Sequence, residues 1–157
     1  DLGANNAFNG VQFLRDGARE VIGLEVDSKH IAQGELVTQA FEWADNTRYN
    51  FRYVHADMAE LPKMSLGDFD MVTALCSIYY LDDQAISDLI RHLRTITDLC
   101  ILQCNKATNI GRHNPHTYTK ASVEYSVNAL KSGGFPDTTI IAPRGYDRPI
   151  VIGRADT

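Results

Sequence analysis

Asp1-Leu2-Gly3-Ala4-Asn5-Asn6-Ala7-Phe8-Asn9-Gly10 is the stretch whose reading decides the fold. Asp1 and Gly3 stand where a buried parallel strand emerges at its carboxyl edge. Ala4 to Ala7 carry no large side chain, so a ligand can approach the backbone closely. Phe8, Val11 and Leu14 then repeat at the spacing of a helix that packs back onto a sheet. A tight turn into a helix N-terminus offers backbone N–H groups to polar or anionic ligand groups. An ordinary strand–helix turn without a ligand has the same local signature, so the rest of the chain must decide between them.

Downstream, Glu20 to Asp27 is a short apolar run ending in acids, the form of a second buried parallel strand. Ser28 is a good N-cap for the next helix, which is apolar at Ile31, Ala32, Leu36, Val37, Ala40, Phe41 and Ala44, is weakened by Gly34 and ends at Asp45-Asn46. Trp43, the only tryptophan, is expected to anchor that helix end in the core, and His30 to be exposed without evident chemistry. Phe51 to His55 alternates as an outer strand does, Phe69 to Cys76 reads as a fourth strand, and Leu99 to Cys104 as a fifth. Between the last two, Asp82 and Asp83 open an amphipathic helix that buries Ile86, Leu89, Ile90, Leu93 and Ile96. Asn105 falls at a strand's carboxyl end, the edge where open α/β sheets bind ligands. The segment 106–118 is a polar loop; a helix opening at Thr119 or Lys120 then buries Val123, Val127 and Leu130 and closes at Gly133-Gly134. Two strands near 138–142 and 150–153 follow with no helix between them.

Asp1 to Ala7 resembles the first motif of the class I, Rossmann-like S-adenosylmethionine (SAM) methyltransferases, D-x-G-x-G-x-G, with Asn5 and Ala7 in the second and third glycine places. Asn accepts left-handed backbone geometry better than most residues. The resemblance extends over nearly the whole chain, through the Phe69-Asp70 opening of the fourth strand and the closing strand pair. It implies an α/β, doubly wound, mostly parallel seven-stranded sheet with an antiparallel C-terminal strand. The chain would be a single methyltransferase-like domain over 1–157, N-terminally truncated, with the first strand largely missing. For the cofactor, S-adenosyl-L-methionine, it implies contacts from Asp1, Gly3, Ala4, Asn5, Glu25, Val26, Asp57, Met58, Leu75 and Cys76. Glu25, about twenty residues past the turn, would accept from the ribose hydroxyls. Asp57 would accept from the adenine amino group while Met58 packs on the ring, although an aspartate there also caps the turn before Leu61-Pro62. Backbone groups near Leu75 and Cys76 would face the methionine part. Asp57→Ala and Glu25→Ala are expected to weaken SAM binding and leave the fold intact.

Ser77 to Leu81 resembles the segment beside the methyl donor that reads V-L-H-H in that family, with Tyr79 and Tyr80 replacing the histidines. Tyr80 facing the acceptor and both tyrosines packing in the core are equal readings. His113 and His116 are candidate bases, since imidazole titrates near neutrality; a loop pair with no acidic or cysteine partner does not argue for a metal. The function implied is methyl transfer to an oxygen, nitrogen or carbon nucleophile, with a small-molecule acceptor. A degenerate, non-catalytic module of the same fold is one alternative. An NAD(P)-dependent oxidoreductase is another, but its G-x-G-x-x-G fingerprint, started at Gly3, places Asn5 and Phe8 at glycine positions.

The 157 residues and 22% charged content are those of an ordinary globular domain, and the formal charge of −5 gives no indication of a nucleic-acid surface. Arg91, His92 and Arg94 read as a solvated helix face. No apolar run is long enough to span a bilayer, and no signal peptide is evident. Cys76, Cys100 and Cys104 lie in or beside apolar strands and read as free thiols in a reducing, cytoplasmic setting.

Overall fold

Val21-Ile22-Gly23-Leu24-Glu25 forms strand β1 (Val21–Glu25), buried at every position. That pattern is what a strand flanked by others requires. In this computed structural model, residues 1–105, 119–142, 144–145 and 147–156 are described, so the candidate bases His113 and His116 lie outside the described residues. The chain divides into two compact units, Asp1–Glu60 and Leu61–Thr157.

In the first unit, β1 pairs in parallel with β2 (Phe51–His55), with Glu25 in register with His55. On the other side, Leu2 makes a parallel bridge to Leu24: Leu24 N donates to Asp1 O and Gly3 N to Leu24 O, each at 2.9 Å. Helix α1 (Phe8–Arg15) buries Gly10, Val11 and Leu14. Phe8 departs from expectation: it is half exposed, its ring instead meeting that of Phe41 at 5.9 Å. Helix α2 (Ser28–Asp45) is capped by Asp27 rather than Ser28, because the Asp27 carboxylate accepts from Lys29 N. It ends, as expected, at Asn46 in the left-handed conformation. Gly34 is a packing requirement, since a Cβ there would lie 1.8 Å from the Tyr53 hydroxyl. Trp43 does not anchor the core: it is 86% exposed.

In the second unit, β3 (Val72–Leu75), β4 (Leu99–Gln103), β5 (Asp137–Ile141) and β6 (Ile150–Arg154) lie in the order β3-β4-β6-β5. β3 and β4 are parallel, and β6 runs antiparallel to both β4 and β5. This makes a mixed sheet whose last strand is inserted between two earlier ones. Helix α3 (Asp83–Ile96), capped by Asp82 through Ala85 N, buries Ile86, Leu89, Ile90 and Leu93, each worth about 2 kcal/mol of transfer free energy. Helix α4 (Val123–Ser132) begins later than expected, at the Ser122 cap. The described residues thus give six strands, two in one hydrogen-bonded group and four in another. No described helix is long and apolar enough to cross a membrane.

Cys100 and Cys104 are buried and Cys76 is half-buried. Burial pushes the Cys100 thiol up to about 12 and raises that of Cys104, whose Sγ donates to Ser126 Oγ at 3.3 Å. Since the thiolate is the reactive form, an alkylating agent is expected to label Cys76 in the folded protein, and Cys100 and Cys104 only after unfolding. Peptide mass mapping checks this; equal labelling of Cys100 in the native state would contradict it.

Candidate functional site

The first unit gathers its site residues at the carboxyl ends of neighbouring strands. Gly3, Asn5 and Ala7 all take left-handed φ, at 71°, 47° and 62°. These are the three places where the motif named above carries glycine. For Asn5 the cost is small, and for Ala7 it is about 1 kcal/mol. Ala7, fully buried, occupies the N-cap position of α1 without a side-chain cap.

The loop is seated by hydrogen bonds. Gly3 N and Ala4 N both donate to Leu24 O. Asn5 N donates to Glu25 Oε2 at 2.7 Å, and Tyr53 Oη donates to Asn5 O at 2.7 Å. Burial holds the Tyr53 phenol up to about 12, which keeps it a neutral donor. Glu25 is itself buried, and its Oε1 accepts from Val26 N and Asp27 N at 3.0 and 2.9 Å. Three N–H groups therefore occupy a carboxylate with about four lone-pair sites. Glu25 is first an anchor for the turn, with capacity left for about one further donor rather than two. His30, read from the sequence as carrying no chemistry, places Nδ1 3.6 Å from Glu25 Oε1. The first turn of α2 brings it there.

Next to Glu25, Val26 is 62% exposed although it follows a fully buried strand, and its carbonyl is bonded by His55 Nε2 at 3.0 Å. On the adjacent strand end, Asp57 is exposed and Met58 half-buried. Asp57 Oδ1 accepts from Ala59 N at 2.9 Å, so the turn-capping reading holds for that oxygen. The parallel β1–β2 register brings Glu25, Val26, Asp57 and Met58 to one sheet edge.

In the second unit, Leu75 ends β3 and Cys76 follows with φ at +57°, a left-handed conformation on a non-glycine residue. Its Sγ donates to Gln103 Oε1 at 3.2 Å. Strained backbone of this kind concentrates at functional sites. The two tyrosines separate: Tyr79 is 2% exposed and Tyr80 is 70% exposed. Tyr79 is core packing; its Oη accepts from Asn105 Nδ2 at 3.3 Å. Tyr80 is open to solvent, and no sequence signal distinguished the pair.

No family model matches the chain, and no curated protein matches it in sequence. Solved structures do match. Over 99% of its length the chain superposes on the magnesium protoporphyrin IX methyltransferase of Synechocystis PCC 6803 with bound SAM, at a TM-score of 0.70 and 18% identity, spanning 68% of that protein. It superposes, again over 99%, on the N-terminal domain of EvdMO1 with S-adenosylhomocysteine (SAH) bound, at a TM-score of 0.73 and 18% identity, spanning 73% of it. WbdD matches 98% of the chain at a TM-score of 0.70 and 16% identity, and the chain spans 35% of that protein. The chain has the α/β fold, with a mixed sheet, of the class I SAM-dependent methyltransferases.

Proposed function

We propose that this chain is a SAM-dependent methyltransferase acting on an oxygen, nitrogen or carbon nucleophile of a small-molecule acceptor. One observation carries the reading. The turn at residues 3, 5 and 7 adopts left-handed geometry at each glycine place of the motif, although two of those places hold other residues. With no side chain larger than asparagine from Gly3 to Ala7, that geometry leaves the turn's backbone open to close approach by a ligand.

The residues fit the adenosine part of the donor. Asp1, Gly3, Ala4 and Asn5 provide a small-residue turn that a ligand can approach, and Glu25 retains one acceptor position for a ribose hydroxyl. Exposed Val26 and half-buried Met58 present apolar surface to a ring, and Asp57 keeps one carboxylate oxygen beyond its turn cap to accept from an amino group. For the methionine part the proposal keeps Leu75 and Cys76. The donor brings a methyl group already activated on a sulfonium sulfur, so alignment supplies much of the acceleration and a visible triad is not required. Tyr80, as an exposed hydroxyl, is proposed to meet the acceptor. The finer fold reading, one domain with a seven-stranded sheet, is proposed with it, supported by the parallel pairing of Leu2 to Leu24. The fold of neighbours crystallised with SAM or SAH supports the donor; their acceptors belong to those proteins.

Calorimetric titration with SAH, with NADH as the control ligand, tests the proposal. SAH is expected to bind and NADH not to. Asp57→Ala is expected to weaken SAH binding about five- to tenfold, the worth of one hydrogen bond, and to lower the unfolding free energy by about 1 kcal/mol through the lost cap on Ala59 N. Binding of neither ligand would make the chain a degenerate module of this fold, and NADH alone would mean the turn serves a dinucleotide.

A further inference from the structure

Among the described residues, Asn105 carries the one buried side-chain polar atom without a hydrogen-bond partner, its Oδ1. A buried acceptor left without a donor forfeits about what a hydrogen bond is worth, and folded proteins rarely leave one so. The rest of the residue is well held. Its backbone N–H donates to Ala121 O at 3.0 Å, and its Nδ2 to Tyr79 Oη at 3.3 Å. Tyr79 lies against Cys76, whose thiol donates to Gln103 Oε1 at 3.2 Å. This network runs one way. With the Cys76 hydrogen given to Gln103, its sulfur is left to accept from the Tyr79 hydroxyl, and Tyr79 Oη to accept from Asn105. That order sets the amide nitrogen toward Tyr79, and the Asn105 carbonyl is the network's open end.

Its place in the sheet points the same way. β3 and β4 are parallel, with Leu75 in register with Gln103. Cys76 and Asn105 therefore both follow strand ends at the carboxyl edge, where open α/β sheets bind ligands. Cys76 holds its left-handed φ of 57° there, and the ring of exposed Tyr80 lies 4.8 Å from that of Tyr79. We propose that Asn105 Oδ1 receives an N–H group of the methyl acceptor, and that this acceptor is an amine. The proposal rests on the methyltransferase reading above and narrows its nucleophile from oxygen, nitrogen or carbon to nitrogen.

The chemistry of an amide decides the class. Its carbonyl accepts a hydrogen bond but takes up no proton near neutral pH. Burial holds the Tyr79 phenol above its ordinary value, so it too stays protonated. A hydroxyl nucleophile needs its proton removed as it attacks, and a carbon nucleophile offers no comparable donor to Oδ1. An amine suits both conditions. Its nitrogen lone pair forms the new N–C bond while the C–S pair returns to sulfur, and the N-methylammonium product then gives its proton to water. Asn105 serves by orientation, since holding one N–H fixes the direction of the lone pair.

The test is turnover by the full chain of aniline, benzylamine and methylamine beside phenol, benzyl alcohol and acetylacetone, followed as SAH released from SAM. At least one amine is expected to be methylated, and the hydroxyl and carbon compounds not. Asn105→Ala is expected to lower kcat/KM for that amine about tenfold, the worth of one hydrogen bond, while the Kd for SAH stays within about twofold. Asn105→Asp, which keeps an acceptor oxygen, is expected to recover most of the lost turnover. Methylation confined to the hydroxyl or carbon compounds would overturn the inference. So would no turnover of any amine by a chain that binds SAH, or amine turnover that Asn105→Ala leaves unchanged. A loss of SAH affinity in Asn105→Ala that Asn105→Asp restores would give the oxygen to the ammonium group of the donor instead. The comparison of amines with hydroxyls on the parent chain decides even where a substitution unfolds the protein. A chain that does not bind SAH fails the methyltransferase reading itself, and the assignment of Asn105 falls with it.

Discussion

Glu25→Ala is expected to lower the free energy of unfolding by about 3 kcal/mol and to abolish measurable SAH binding. The carboxylate is buried and accepts from three backbone N–H groups, of Asn5, Val26 and Asp27. A hydrogen bond to a charged group contributes about 1.5–3 kcal/mol, and a buried donor left without a partner costs about 1–3 kcal/mol. The three are not additive, because Val26 and Asp27 share one oxygen and can relax toward water at the strand end. Asn5 has less freedom, since its carbonyl is also held by Tyr53. Read from the sequence alone, this substitution should spare the fold; the geometry revises that expectation, because the residue that would hold the ribose also seats the turn. Glu25→Gln sharpens the test. Its carbonyl can still serve Val26 and Asp27, but its amide would point a donor at Asn5 N–H. It should therefore lose roughly half the stability that Ala loses and still fail to bind SAH. Urea unfolding and calorimetry give both quantities, and an unfolding midpoint unmoved by Glu25→Ala would show that the carboxylate does not anchor the turn.

What was legible in the sequence was whatever rests on short-range pattern. The turn at Asp1 to Ala7, the buried run into Glu25, the apolar stripe of α3 and the closing strand pair all carry periodicity or turn chemistry, and all appear where expected, save that Ile96 at the end of the α3 stripe is only half-buried. Legibility failed where the decision belongs to tertiary packing. Apolar residues recur around α2 on both faces, so the sequence could not say which face is turned inward, and Trp43 came out on the other one. Phe8 fits the helical spacing of Val11 and Leu14, yet it sits at the helix start and reaches sideways to Phe41. The Asp27 cap displaced Ser28 because a carboxylate one residue earlier reaches Lys29 N first. For the site, residue types at the strand ends were readable. Their hydrogen-bond partners were not: nothing in the order of letters says that Glu25 receives Asn5 N–H, or that Tyr53, forty-eight positions away, ties down the Asn5 carbonyl. A histidine at position 30 gives no hint of the carboxylate it faces.

Gly23→Val is the second large effect expected, and it tests the same turn by a steric route. Gly23 lies in the middle of β1, where valine has the better intrinsic fit to a strand. Space decides against it. A Cβ at this position would come within 2.7 Å of Ala4 Cβ and 2.9 Å of Phe51 Cζ. Neither neighbour can give way cheaply. Ala4 is held by its N–H to Leu24 O, and the Phe51 ring packs edge-on against Tyr53 at 4.9 Å. The overpacking is expected to cost about 2–3 kcal/mol net, with Gly23→Ala intermediate. The functional consequence should exceed that of Asp57→Ala, because the displacement reaches Asn5 from two directions: along the chain from Ala4, and through Phe51 and Tyr53 to the Asn5 carbonyl. SAH affinity should therefore fall more than tenfold in Gly23→Val even at temperatures where the protein remains folded. If the variant loses stability but binds SAH as tightly as the parent, the donor does not rest on this turn. If it keeps both, β1 and the turn are less closely packed than their distances require.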